Sequence, residues 1–220
     1  MNNTQILKIM ELLEQDNKQA IKEILTQELL KENKQPKKAK SFATIKKFIE
    51  DKELESRPLL KSIMHKNNKQ FICNGIEMYI FNTYKEELET LPQASEELSL
   101  NYNQILDTSN YKFNTLTDEH KFILEHLTQY INYCKSKMEN KKDNIFIYFD
   151  GKIFNTKLLS NFVNIHENNF DNITYTSDRD GAFITTSEDI TSILLAIRPE
   201  EETKQKCINL LDEFKKELNA

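Results

Sequence analysis

Apolar positions along the chain recur with two periods, three to four residues in some stretches and two in others, and the change from one to the other predicts the elements. Residues 3–14 carry Ile6, Leu7, Ile9, Met10, Leu12 and Leu13 as one broad helical stripe, and residues 18–31 carry a second through Ala20, Ile21, Ile24, Leu25, Leu29 and Leu30. Asp16-Asn17 between them supplies a turn and an N-cap, so a helical hairpin is expected. Two helices cannot bury both stripes between themselves; the hairpin must pack on the rest of the chain or on another copy. The polar run LKENKQPKKAKS follows, with Pro36 and Lys31, Lys34, Lys37, Lys38 and Lys40, and reads as a basic linker. Helical spacing resumes with Phe42, Ile45, Phe48 and Ile49, then gives way to three strands over 59–65, 70–73 and 76–81. Their turns fall at 66–69 and at Asn74-Gly75, residue types that tolerate the positive φ of tight hairpins.

Residues 82–101 carry Glu86, Glu87, Glu89, Glu96 and Glu97 with Pro92 and read as an acidic loop; 101–106 reads as one more short strand or turn. Thr117 or Asp118 then caps a long helix to about residue 137. Phe122, Ile123, His126, Leu127, Tyr130, Ile131 and Cys134 line one side of it, and Lys135 and Lys137 stand where the helix dipole favours cations. NIFIYF at 144–149 is the most strand-like run of the chain, folded by Asp150-Gly151 into a partner at 152–154. A helix over 155–165 buries Leu158, Leu159, Phe162 and Val163. Strands follow at 172–175, 182–185 and 190–197, and Pro199 opens a closing helix at 200–218.

Composition narrows function more than it narrows fold. Hydrophobic residues at 38% are enough for one well-filled core, and 30% charged residues imply a heavily solvated surface. No apolar run reaches membrane length, and the first residues lead straight into an amphipathic stripe. A cytoplasmic protein without a signal peptide or membrane association is expected. Cys73, Cys134 and Cys207 are odd in number and widely spaced, which fits neither a disulfide framework nor a metal site, so they are read as reduced packing residues. The scarcity of glycine, at 75, 151 and 181 only, removes the glycine-rich loops that cradle phosphates, and no cofactor is expected. A net charge of −5 argues against a protein that coats nucleic acid while leaving room for one basic face.

The two halves share an order of elements: a helix, then three strands, with Phe71-Ile72 or Phe183-Ile184 on the middle strand. A duplicated helix-plus-three-strand unit within an α+β fold is the economical reading. Arg57-Pro58 ahead of a strand, turns at Asn74-Gly75 and Asp150-Gly151, and a late strand ending at Arg198-Pro199 make the stretch from about 41 to 199 resemble the DNA sliding clamp fold of the DNA polymerase III beta subunit. More closely, it resembles clamp-like proteins encoded by phages and prophages of low-GC Gram-positive bacteria. The resemblance implies a non-enzymatic clamp-like domain at 42–199, flanked by an N-terminal hairpin (1–35), a basic linker (36–41) and a C-terminal helix (200–220). The duplicated unit together with the basic stretch from Lys31 to Lys47 leads to the expectation of a role in nucleic-acid metabolism, in the bacterial host cytoplasm if the chain is phage-encoded.

The residues expected to meet DNA are Lys37, Lys38, Lys40, Lys46 and Lys47, a run of cations suited to phosphates. Candidate partners are double-stranded DNA, a host or phage protein, and further copies of the chain. Asp150, Asp178, Asp180, Glu188 and Asp189 could hold a divalent metal for a nuclease reaction. Most lie in turns, however, where aspartate hydrogen-bonds its own backbone, and no metal or catalytic residue is assigned. His120 and His126 lack the spacing of four used by helical zinc motifs, and His65 and His166 are isolated. A third reading is an interaction protein that inhibits a host factor through the N-terminal hairpin.

Overall fold

Seven helices and nine strands make up the described residues of the computed structural model, 3–51, 58–95, 111–140, 143–177 and 181–218, in an α+β fold. The chain divides into two compact units, 1–101 with 164–167, and 102–163 with 168–220.

The first unit opens with the expected hairpin of α1 (Asn3–Glu14) and α2 (Lys18–Glu32). Asn17 caps α2 by accepting the Ala20 N–H at 3.1 Å, and Asp16 turns the chain with a left-handed φ of 50°. Helix α3 runs Pro36–Ile49, so the segment read as a linker at 36–41 is helical. Pro36 stands in the first turn, where its missing N–H has no partner to lose, and buried Ala39 and Ser41 carry the apolar spacing of Phe42, Ile45, Phe48 and Ile49 back toward it.

After α3 come β1 (Met64–Lys66), β2 (Lys69–Cys73) and β3 (Glu77–Phe81), an antiparallel meander in which Phe71 faces Ile80 and Ile72 faces Tyr79. Both turns match the expectation. Asn67 and Asn68 have φ of 50° and 61°, the type I′ signature, and Gly75 has φ 94° while Asn74 Oδ1 accepts the Ile76 and Glu77 N–H groups. The first strand is shorter than expected, because Pro58–Lys61 forms a 3-10 turn and Ile63 bridges to Gln93. The acidic loop contains one 3-10 turn, Glu86–Thr90, held by buried Gln70, whose amide bonds both the N–H and the carbonyl of Lys85. The short element expected at 101–106 lies outside the described residues.

In the second unit, α4 (Asp118–Glu125) and α5 (Leu127–Lys137) replace the single long helix expected there. The break falls at His126, whose ring bonds the Phe122 carbonyl at 2.9 Å, the same oxygen that its own backbone N–H uses. β4 (Asn114–Thr115), β7 (Thr174–Thr176), β8 (Ala182–Thr186) and β9 (Ile190–Leu195) pair antiparallel in the order β9-β8-β7-β4, while β5 (Phe146–Phe149) and β6 (Lys152–Asn155) form a separate hairpin. Asp150 and Gly151, with φ of 50° and 74°, make its type I′ turn. α6 (Thr156–Ile165) follows β6, and α7 (Glu201–Leu218) closes the chain by burying Cys207, Leu211 and Phe214, with Phe214 edge-on to Tyr130 at 5.5 Å.

The core of this unit centres on Phe183 in β8, which meets Phe149, Phe154, Phe162 and Tyr175 at ring separations of 5.1, 6.3, 6.4 and 5.3 Å. Phe183 is fully buried, so truncating it removes both burial and ring-edge contacts. Phe183→Ala is expected to lower stability by about 3–5 kcal/mol in urea unfolding followed by circular dichroism. A loss below about 1 kcal/mol would mean that Phe183 is not the centre of this core.

Candidate functional site

The five lysines expected at a DNA contact all lie on α3, but the helix separates them. At about 100° per residue, Lys37, Lys40 and Lys47 fall within an arc of roughly 80° on the side opposite the buried stripe. All three are exposed, and among the described residues none pairs with a carboxylate. Thr44 lies in the same arc and donates its hydroxyl to the Lys40 carbonyl at 2.9 Å. Lys37 and Lys47 are about 15 Å apart along the axis, a length that spans two or three phosphates of one strand. Lys38 falls on the buried side at the first turn and is half covered. Lys46 points to α2, where its Nζ stands 2.7 Å from Oε2 of buried Glu23, and it lies 3.7 Å from Glu50 at the end of its own helix. Its charge is spent inside the unit.

A second constellation joins residues that no sequence period connects. Thr117 caps α4 by accepting the His120 N–H at 3.2 Å, and His120 Nδ1 stands 3.2 Å from the Thr117 N–H and 3.0 Å from its hydroxyl. Nε2 on the other side of the ring lies 3.2 Å from Asp150 Oδ1 in the β5–β6 turn, and the Ser177 hydroxyl donates to Asp150 Oδ2. The ring itself is buried against Phe149 and Tyr175 at 5.1 and 4.7 Å. Burial first, and the adjacent Asp150 carboxylate second, push the Tyr175 hydroxyl above its ordinary range.

Hydroxyl, imidazole and carboxylate stand here in the order of a general-base relay. Thr117 Oγ1 nonetheless accepts the His120 N–H as the cap of its own helix, and Asp150 is shared by His120, Ser177 and Tyr175. The arrangement staples the start of α4 to a hairpin tip. The spacing Thr117-x-x-His120 is a capping box with histidine in the place of glutamate, which is the one sequence signal that could have pointed to it.

The remaining candidates stay apart. Glu188 and Asp189 are exposed in the β8–β9 turn, and Asp178 and Asp180 lie outside the described residues. Among the described residues no three of His, Cys, Asp and Glu are grouped to hold a metal ion. His65 bonds Gln93 at 2.7 Å. The three cysteines are free and buried, and burial pushes the thiols of Cys134 and Cys207 up, away from the reactive thiolate. Among the described residues no helix is long and apolar enough to cross a membrane. Comparison with protein families, with curated proteins and with solved structures yields no match.

Asp150→Asn keeps a residue that tolerates the left-handed turn but leaves one acceptor oxygen for His120, Ser177 and Tyr175. The expected result is a loss of about 1–3 kcal/mol in urea unfolding, the cost of one buried donor without a partner. His120→Asn should cost a similar amount, and the double variant less than the sum of the two. Full additivity would show that the two side chains act separately.

Proposed function

We propose that the protein is a non-enzymatic, clamp-like α+β protein of a phage or mobile element, acting in nucleic-acid metabolism by contact with duplex DNA through α3. The observation that carries this reading is the exposed face of Lys37, Lys40 and Lys47, three cations free of carboxylate partners among the described residues. Burial of Phe42, Ile45, Phe48 and Ile49 holds that face outward. On the clamp-like reading, a helix ahead of each three-strand meander turns toward phosphates, and the two helix-meander units descend from one. The second such helix, α6, offers Lys157 alone, so the contact is one-sided and does not encircle the duplex.

Contact with a protein through the N-terminal hairpin is a second reading, supported by the apolar side chains exposed on both of its helices. A metal-dependent nuclease has less in its favour, because Asp150 is already engaged by His120 and Ser177.

Three phosphate contacts predict that affinity for duplex DNA falls about 40-fold between roughly 50 and 200 mM salt. Fluorescence anisotropy with a labelled duplex reads this directly. Lys37→Glu/Lys40→Glu/Lys47→Glu should abolish binding, whereas Lys46→Gln should leave the salt slope unchanged because that charge is held by Glu23. No binding at the lower salt, or equal binding by the triple variant, would sink the DNA reading.

A further inference from the structure

The hairpin presents an apolar face whose shape and charge suit one occupant. Helix α1 turns Gln5, Ile9 and Leu12 to α2: Leu12 is buried, and Gln5 Nε2 donates to Glu28 Oε1 at 2.8 Å. Ile6, Met10 and Leu13 follow one residue on from these, about 100° round the helix. On α2 the exposed residues Lys18, Lys22, Leu25, Leu29 and Glu32 recur at i, i+4, i+7, i+11 and i+14, all within an arc of about 80°. The two helices run antiparallel through the tight link at 15–17, so a clockwise step on one is an anticlockwise step on the other. The two exposed stripes therefore look out from the same side of the hairpin. Ile6, Met10, Leu13, Leu25 and Leu29, exposed by 41, 55, 61, 46 and 58%, are the apolar residues of those two stripes.

The bond between Gln5 and Glu28 sets the register within the hairpin. Counting from it, Ile6 lies level with Gln27, Met10 with Glu23, Leu13 with Ala20 and Glu14 with Gln19. Now let a second copy be placed face to face about a two-fold axis parallel to the helices. Each α2 then lies on the other copy's α1, antiparallel and at the same level. The partner's Ile6 falls between Leu25 and Leu29, and the partner's Met10 between Lys22 and Leu25, as knobs into the gaps of the stripe. The partner's Glu14 comes level with the Lys18 and Lys22 end of α2. Of these, Lys22 and Glu14 pair with no charged group among the described residues.

Every neighbouring pair of helices in that arrangement is antiparallel, the favourable order for their dipoles. The five side chains of each copy would remove roughly 1,000 Å² of apolar surface in total, the threshold for a specific interface. A foreign partner would have to supply the same spacing and the same sign pattern by coincidence; a second copy supplies both by symmetry.

We infer that the N-terminal hairpin is a dimerisation surface, and that two copies of the chain pair hairpin against hairpin as an antiparallel four-helix bundle.

Sedimentation velocity of the full chain over a range up to about 100 µM is the test, since mass action favours the dimer as concentration rises. The wild type should pass from one copy to two. Leu25→Asp/Leu29→Asp should remain a single copy at every concentration while its urea unfolding curve, taken at low concentration, is unchanged, because both side chains are exposed. Lys22→Glu alone should weaken the dimer at least several-fold, and Glu14→Lys in the same chain should restore most of the loss. A wild type that stays a single copy throughout overturns the inference and returns the face to a foreign protein. A dimer indifferent to the leucine changes, or to both charge reversals, overturns it as well by placing the contact elsewhere.

Discussion

The rotation of α3 about its own axis is the constraint on which the first unit depends. Ala39, Ser41, Phe42, Ile45, Phe48 and Ile49 form one buried stripe, and the ring of Phe48 meets the edge of Tyr79 in β3 at 6.0 Å. A helix has only one side to bury, so this commitment decides the fate of every other side chain on it. Lys37, Lys40 and Lys47 are turned outward by default. Lys46 is turned to α2, and the same pair that removes its charge from the surface accounts for buried Glu23, which would otherwise be a carboxylate without a counterion.

That pairing also decides what the hairpin can still do. With Glu23 given to α3 and Gln5, Ile9 and Leu12 given to the α1–α2 contact, the inner sides of both helices are used. Gln19 adds a further tie by donating to the Thr90 carbonyl. The remaining side holds leucine, isoleucine and methionine at positions where a solvated helix would carry polar residues, and the packing within the unit leaves them exposed.

The second unit is organised differently, by aromatic rings and one polar staple. Phe149, Phe154, Phe162, Tyr175 and Phe183 fill the space around β8, largely edge to face. At the edge of that cluster the ring of His120 is a hybrid, packed tilted and edge-on against its neighbours like a core aromatic and bonded through both nitrogens. It connects the helix cap at Thr117 to the turn at Asp150. A phenylalanine in its place would fill the volume and leave both the Thr117 N–H and the Asp150 carboxylate short of a partner.

Local order was legible because its causes are local. The Asn17 and Thr117 caps, the turns at Asn67-Asn68, Asn74-Gly75 and Asp150-Gly151, and the α+β succession of elements each follow from a few neighbouring residues whose hydrogen bonds or φ preferences do not depend on distant parts of the chain. Where local signals compete, sequence alone misleads. Pro36 and its lysines carry the marks of a linker and equally those of a first helical turn, and burial of Ala39 and Ser41 selects the second. His126 lies in a continuous helical pattern, and the helix still breaks there, where its ring shares the Phe122 carbonyl with its own backbone N–H. The pairing of His120 with Asp150 across thirty residues, the separation of Lys46 from the other lysines, and the exposure of Leu25 and Leu29 beside half-buried neighbours of the same type were decided by the tertiary structure alone. Composition specifies which side chains can pair or be buried; only the fold, by bringing distant elements together, specifies which ones are.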